Sequence, residues 1–279
     1  MENLNYNNVR EHVLNKFNDI KFIEESHQYF IDDEEYTPVS NVISEYEVYV
    51  DWDLKAKEYA DRRGLIKENV QKDWRLNNLK ATISGTRTHE FGESYTNLLI
   101  GHPELICEGN KKQYIKEYGG VLLPTYPKED AIVKFYNEIN EGTSFRMTPV
   151  GAEFRLSTKY MEGARHICGT CDLLFWGEDV IYPEDSGFVL GDWKTNASLY
   201  NSYNRKYGVK MQAPFGDMID ESFSHYVLQF NIYQRMLESI GVKIVDRVLI
   251  WLKNDGTYER IRIPKIDDGI LDKVLFPKK

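Results

Sequence analysis

The segment GDWKT at 191–195 closes the apolar run GFVL and sets a carboxylate, Asp192, two residues before an ammonium, Lys194. Side chains alternate along a strand, so Asp192 and Lys194 share one face while Trp193 points to the other. Upstream, CGTCDLLFW holds Asp172 inside a second apolar run, where an unpaired carboxylate is costly. The twenty-residue gap between Asp172 and Asp192 suits two neighbouring antiparallel strands with a generous connection. Two carboxylates brought together repel one another unless a cation lies between them. Such oxygen ligands suit a hard divalent ion, Mg²⁺ or Mn²⁺. The segment GTRTHEFGESY adds His89 on a predicted helix, with Glu93 one turn further on. Because position 93 is Glu, the pattern His-Glu-x-x-His is not completed and zinc-protease chemistry is excluded.

These residues need elements to hold them. KFIEESHQYFIDDEEYTP reads as a β-hairpin with strands FIE and HQYFI, and Pro38 and Ser40 precede a helix start in NVISEYEVYV. Residues 53–101 read as three helices, with Gly64, Gly85 and Gly101 as their ends or starts. Residues 128–140 form a further amphipathic helix. After Gly142 the pattern changes to three strand-like runs at 150–160, 166–177 and 187–195. A polar, tyrosine-rich loop over 196–221 leads to a helix at 222–240, and 245–254 and 257–263 are two strands around the turn NDG. The expected architecture is α/β: a mixed sheet flanked by helices, with a helical N-terminal half. One domain over 1–279 is expected, with a mainly helical part at 1–142 carrying the hairpin and a catalytic core at 143–279.

Composition sets the outer bounds. Hydrophobic content of 42% and charged content of 28% predict a packed core rather than disorder. No apolar run approaches the roughly 18 residues needed to span a bilayer, and the N-terminus lacks a secretory pattern. The expectation is a soluble, cytoplasmic protein with no membrane partner, in the host cytoplasm if the gene is viral. Three cysteines make no disulfide framework, and the pair Cys168 and Cys171 has no second pair to complete a structural zinc site, so both read as small buried strand residues. The net charge of −9 is unevenly spread. Residues 1–53 hold 13 acids against 3 bases, whereas 54–89, which includes Arg87, hold nine bases against four acids. In 196–221, tyrosines alternate with Arg205, Lys206 and Lys210, a mixture suited to stacking bases and contacting phosphates.

Taken in order, G-T-x-x-H around His89, Glu153 in GAEF, G-T-x-D around Asp172, G-D-x-K-T at 191–195 and Gln229-x-x-x-Tyr233 resemble the PD-(D/E)XK nuclease superfamily. The likeness is closest to the RecB-like branch with its phage exonucleases, and it spans about residues 85–235. It implies a restriction-endonuclease-like core. It also implies that His89, Asp172 and Asp192, with the backbone carbonyl of Trp193, hold Mg²⁺ or Mn²⁺. Lys194 would position or activate the attacking water and Glu153 would be a supporting acid. Gln229 and Tyr233 would sit beside the site and approach DNA. Branch members with an iron–sulfur cluster use four cysteines, so no cluster is expected here. The implied activity is a metal-dependent DNA nuclease, an exonuclease of recombination, repair or phage DNA processing. Its partners would be single strands or duplex ends, and a helicase or recombination protein. The alternatives are an inactive nucleic-acid-binding subunit, and an endonuclease or RNA nuclease on the same fold.

Overall fold

In the computed structural model, which describes residues 4–115 and 120–277, helix α1 (Val9–Lys16) leads into three antiparallel strands. These are β1 (Lys21–Ile23), β2 (Gln28–Ile31) and β3 (Glu34–Pro38). The sequence predicts only the first two. The third forms because Tyr36 and Pro38 turn inward, an alternation hidden by the exposed acids Glu34 and Glu35 before it. Helices α2 (Val39–Ser44), α3 (Trp52–Arg63) and α4 (Lys67–Leu99) follow, then a small ribbon of β4 (Tyr114–Ile115) and β5 (Val121–Leu122), and α5 (Pro127–Glu138).

The central hairpin is β6 (Phe145–Ser157) against β7 (Ile167–Asp179), continued by β8 (Gly187–Lys194). The segment after β8 carries a short helix, α6 (Ser202–Tyr207), which the sequence reading takes as loop. Helix α7 (Ser222–Glu238), strands β9 (Ile244–Leu252) and β10 (Tyr258–Arg262), and α8 (Asp268–Leu275) complete the chain. Among the described residues, eight strands form one mixed sheet in the order β1-β2-β3-β7-β8-β9-β10, with β6 also paired to β7. The sheet therefore joins the N-terminal strands to the C-terminal core, through parallel pairing of Thr37 and Pro38 with Ile167 and Cys168. The architecture is α/β, with helices on both sides. No described helix is long and apolar enough to cross a membrane.

Apolar side chains pack against both faces. On one, Leu174, Phe188 and Leu190 meet α1, α2, α7 and α8; on the other, Leu173, Phe175 and Trp193 meet Phe91 of α4 and Phe135 of α5. A strand covered on both faces has no polar side to show, which is why β8 reads as a continuous apolar run. Cys168 and Cys171 are free thiols buried in this core.

Gly64 adopts the left-handed conformation that ends α3 (φ 65°), as the sequence predicts. Gly85 breaks nothing: α4 runs through it for 33 residues, about 50 Å at the helical rise. Glycine there serves close approach instead. A Cβ on Gly85 would stand 3.4 Å from Thr195 Oγ1, and one on Gly92 would stand 2.6 Å from Trp193 Nε1. The two glycines, seven residues apart on one helix face, let α4 lie against the end of β8. That contact brings His89, between them in sequence, towards the aspartates.

Gly92→Ala tests this packing. Alanine is the better helix former by about 1 kcal/mol, but overpacking a buried ring typically costs about 1–3 kcal/mol. Trp193 is 1% exposed and has no room to withdraw. A net loss of stability is expected in urea unfolding, with weaker divalent-cation binding because His89 moves with the helix. A more stable Gly92→Ala protein would show that α4 does not press on Trp193.

Candidate metal centre

Strands β7 and β8 pair in register from Gly177–Gly187 to Leu173–Gly191 and then part. The next residues along each strand are Asp172 and Asp192, so the two carboxylates lie where the ladder opens. On the same edge of β7, β3 takes over only at Cys168. Residues 169–172 thus border an opening in the sheet, and the polar groups gather there.

Four of the side chains singled out from sequence meet at this point. His89 Nδ1 lies 3.0 Å from Asp172 Oδ2, and Lys194 Nζ lies 2.7 Å from Asp192 Oδ2. The backbone N–H of Trp193 donates to Asp172 Oδ2 at 3.3 Å. The Trp193 indole points away, edge-on to Phe135 and Tyr136, as strand alternation requires. Glu153 comes closer than a supporting role implies: donor atoms of His89, Glu153 and Asp172 all lie within 4.8 Å of one another. Asp192 stands beside this trio, occupied on one side by Lys194. Its other oxygen, Oδ1, is buried without a hydrogen-bond partner.

Glu153 reaches the group by an unusual backbone. Its φ is +55°, a left-handed conformation in the middle of β6, between Ala152 paired with Leu173 and Phe154 paired with Cys171. For a residue with a Cβ this costs about 1–2 kcal/mol. Sterics alone would select glycine; the carboxylate is kept where it is needed at a local cost.

The charges bear on what the site can hold. Burial, reinforced by Asp172, Glu93 and Asp192, pushes the Glu153 carboxyl well above its ordinary range. Burial and then Asp172 raise Asp192 likewise. Burial also opposes ionisation of Asp172, but His89 and Lys194 outweigh it and hold that carboxyl below the usual range. Burial alone would discharge Lys194; Asp192 and Asp172 overcome this and raise it. If Glu153, Asp172 and Asp192 are all ionised, Lys194 cancels one of three negative charges. Burial favours a neutral His89, but Asp172 and Asp192 outweigh it and raise the imidazole, so His89 supplies a second positive charge here and would give up its proton to a divalent cation that takes its place beside Asp172. The orphaned Asp192 Oδ1 and an oxygen-rich donor set with one imidazole fit Mg²⁺ or Mn²⁺.

Around the trio, α7 supplies Gln229, whose Nε2 donates to Tyr233 Oη at 3.3 Å. Tyr233 packs on Gly169, where a Cβ would stand 2.7 Å from its ring, so the glycine of G-T-x-D exists for this contact. Tyr226 was not foreseen. Its ring lies 4.3 Å from Lys194 Nζ and its hydroxyl donates to Asn196 Oδ1 at 2.7 Å. Spacing alone held a signal, because 226, 229 and 233 fall on one helix face. Lys128 was also missed; it donates to the Thr195 carbonyl at 2.8 Å, and nothing at the start of α5 announces that contact.

The basic residues expected to contact nucleic acid are placed unequally. Arg87 lies 3.6 Å from the buried Glu129 and stacks 3.4 Å over the Tyr126 ring. Arg205 makes a two-pronged ion pair with Glu221, at 2.9 and 2.7 Å, and covers Tyr200. Both are held by acids of this chain. Lys206 and Lys210 remain exposed, as do Tyr203 and Tyr207 beside them.

In comparisons with known proteins, no family model matches this chain, and no curated protein matches it.

Glu153→Gly separates stability from function. Glycine accepts φ +55° freely and removes a buried acid, so the variant is expected to gain about 1 kcal/mol in EDTA. Its affinity for Mn²⁺ is expected to fall at least tenfold, read by calorimetry. A variant that is both less stable and unchanged in cation affinity would remove Glu153 from the ligand set.

Proposed function

We propose that this protein is a metal-dependent nuclease that hydrolyses phosphodiester bonds in DNA, acting on single strands or strand ends. The observation that carries the reading is the convergence of His89, Glu153 and Asp172 beside the buried pair Asp192–Lys194. The order of the motifs in the sequence supports it independently. A catalytically inactive binding subunit is a weaker reading, because a protein that only binds has no physical use for three crowded carboxylates.

A divalent cation held by His89, Glu153 and Asp172, with Asp192 Oδ1 and the Trp193 carbonyl as further donors, would supply Lewis acidity and a more acidic water. The chain's own groups do the rest. Phosphodiester hydrolysis gathers negative charge on the phosphoryl oxygens in the transition state. The Lys194 ammonium, fixed at 2.7 Å by Asp192 and covered by Tyr226, is a charge that needs no reorganisation to meet it. Asp192 would serve twice, since one oxygen orients Lys194 while the other is buried without a partner and free to take a cation. Burial raises the value of each contact by excluding water from the field.

Incubation of labelled single-stranded DNA with Mg²⁺, Mn²⁺ or EDTA tests the reading. Cleavage is expected with either cation and none with EDTA. Lys194→Ala and Asp192→Ala should each lower kcat at least 10²–10³-fold, roughly the loss of one preorganised transition-state donor. Wild-type protein that binds DNA and leaves it intact with both cations would favour the subunit reading. Cleavage that persists in both variants would remove this site from the chemistry.

A further inference from the structure

The opening between β3 and β8 leads into a cavity of about 440 Å³. Glu153 and Asp172 lie on one side of it, and α7 contributes Tyr226 and Gln229. Part of the remaining lining comes from the N-terminal strands, which have no part in the metal group. They contribute three rings, Phe22, His27 and Tyr29, and α2 with Glu47 after it completes the lining. The Phe22 ring lies 4.6 Å from Tyr29 and 5.3 Å from His27. The Tyr29 hydroxyl shares a hydrogen bond of 3.1 Å with Thr170 Oγ1, tying the cluster to β7 two residues before Asp172. Tyr29 is buried, Phe22 is half-buried and His27 is exposed at the rim. His27 holds a left-handed backbone (φ 53°) at the turn between β1 and β2.

A ligand that satisfies both ends of this cavity carries a metal-seeking oxyanion at one end and a flat, apolar ring at the other. A nucleotide unit has that form. The volume lies at the small end of the range for single-ligand pockets. A base inside a duplex is paired and stacked on both faces, and reaches such a pocket only when unpaired or extruded. Aromatic faces bind any unpaired base, because every base offers a π-surface.

We infer that the Phe22–His27–Tyr29 cluster is a stacking pocket for one unpaired nucleobase next to the scissile phosphodiester. The inference rests on the nuclease reading and deepens it. It makes the substrate a single strand or a frayed end, and it assigns a binding role to a part of the chain outside the metal group. Preference for ends then follows from the shape of the pocket as well as from charge.

The experiment compares steady-state cleavage of a single-stranded oligonucleotide, the same strand with abasic sugars, and a blunt duplex, in Mg²⁺. Wild-type protein is expected to prefer the single strand, with KM about tenfold higher for the abasic strand. His27→Ala and Phe22→Ala should raise KM for the normal strand more than they lower kcat, and should narrow its advantage over the abasic strand. Phe22→Trp should restore the advantage. His27 is exposed, so its variant is not expected to unfold, and thermal unfolding checks the Phe22 variant. Equal KM for normal and abasic strands, or an advantage unaltered in His27→Ala, overturns the pocket while cleavage stands. Loss of all metal-dependent cleavage in the wild-type protein overturns the nuclease reading and the pocket with it.

Discussion

Carboxylate repulsion at the place where β7 and β8 separate is the constraint around which the rest of this molecule is arranged. Asp172 and Asp192 come to the end of a ladder that is covered on both faces, and Glu153 is turned towards them from β6. In water such a group would disperse. Here the strands fix it, with Lys194 against Asp192 and His89 against Asp172. Burial and this crowding raise Glu153 and Asp192 well above the ordinary carboxylate range, at the opening in the sheet. A divalent cation, as proposed above, would relieve that crowding, and Asp192 Oδ1 is buried beside it without a hydrogen-bond partner.

Holding this arrangement costs stability elsewhere in small amounts. Glu153 holds a conformation suited to glycine, while Gly92 and Gly169 give up side chains so that Trp193 and Tyr233 can approach. Trp193 links the two sides of the problem. Its backbone stands at the site and its indole is wedged between α4 and α5, so the position of the ligands is fixed by core packing. That coupling keeps the geometry without relying on exposed loops, which are the most mobile parts of a fold.

The segment between β8 and α7 shows how ion pairs can hide behind a basic composition. Arg205 and Glu221 fasten it to the body, with the Asn201 N–H also donating to Glu221. Arg87 faces Glu129 at 3.6 Å, close enough for charge to act but without a hydrogen bond. Cations held by buried acids contribute less to an outward field than their count implies. Within the segment between β8 and α7, Lys206, Lys210 and the tyrosines near them face outward. In the 54–89 stretch, by contrast, Lys55, Lys57, Arg62, Arg63, Lys72, Arg75 and Lys80 are exposed.

The residue types and their order along the chain determined the chemistry on offer. A carboxylate in an apolar run, Asp172, and one just after another, Asp192, could be read without coordinates because burial of an unpaired charge is so costly. Alternation on β8 likewise determined that Lys194 would stand with Asp192 and that Trp193 would not. The mixed α/β architecture followed from the change of periodicity after Gly142. Only the tertiary structure decided which residues meet across long stretches of chain. It brought Glu153 within reach of His89 and Asp172 through a backbone conformation that no residue pattern encodes. It ran α4 straight through Gly85, because glycine marks a close approach as readily as a helix end. It also paired Arg87 and Arg205 with acids 42 and 16 residues away, and carried the N-terminal rings to the edge of the site through β3. Local propensities act over a few residues, whereas these contacts are set by how the sheet closes and what its faces must cover.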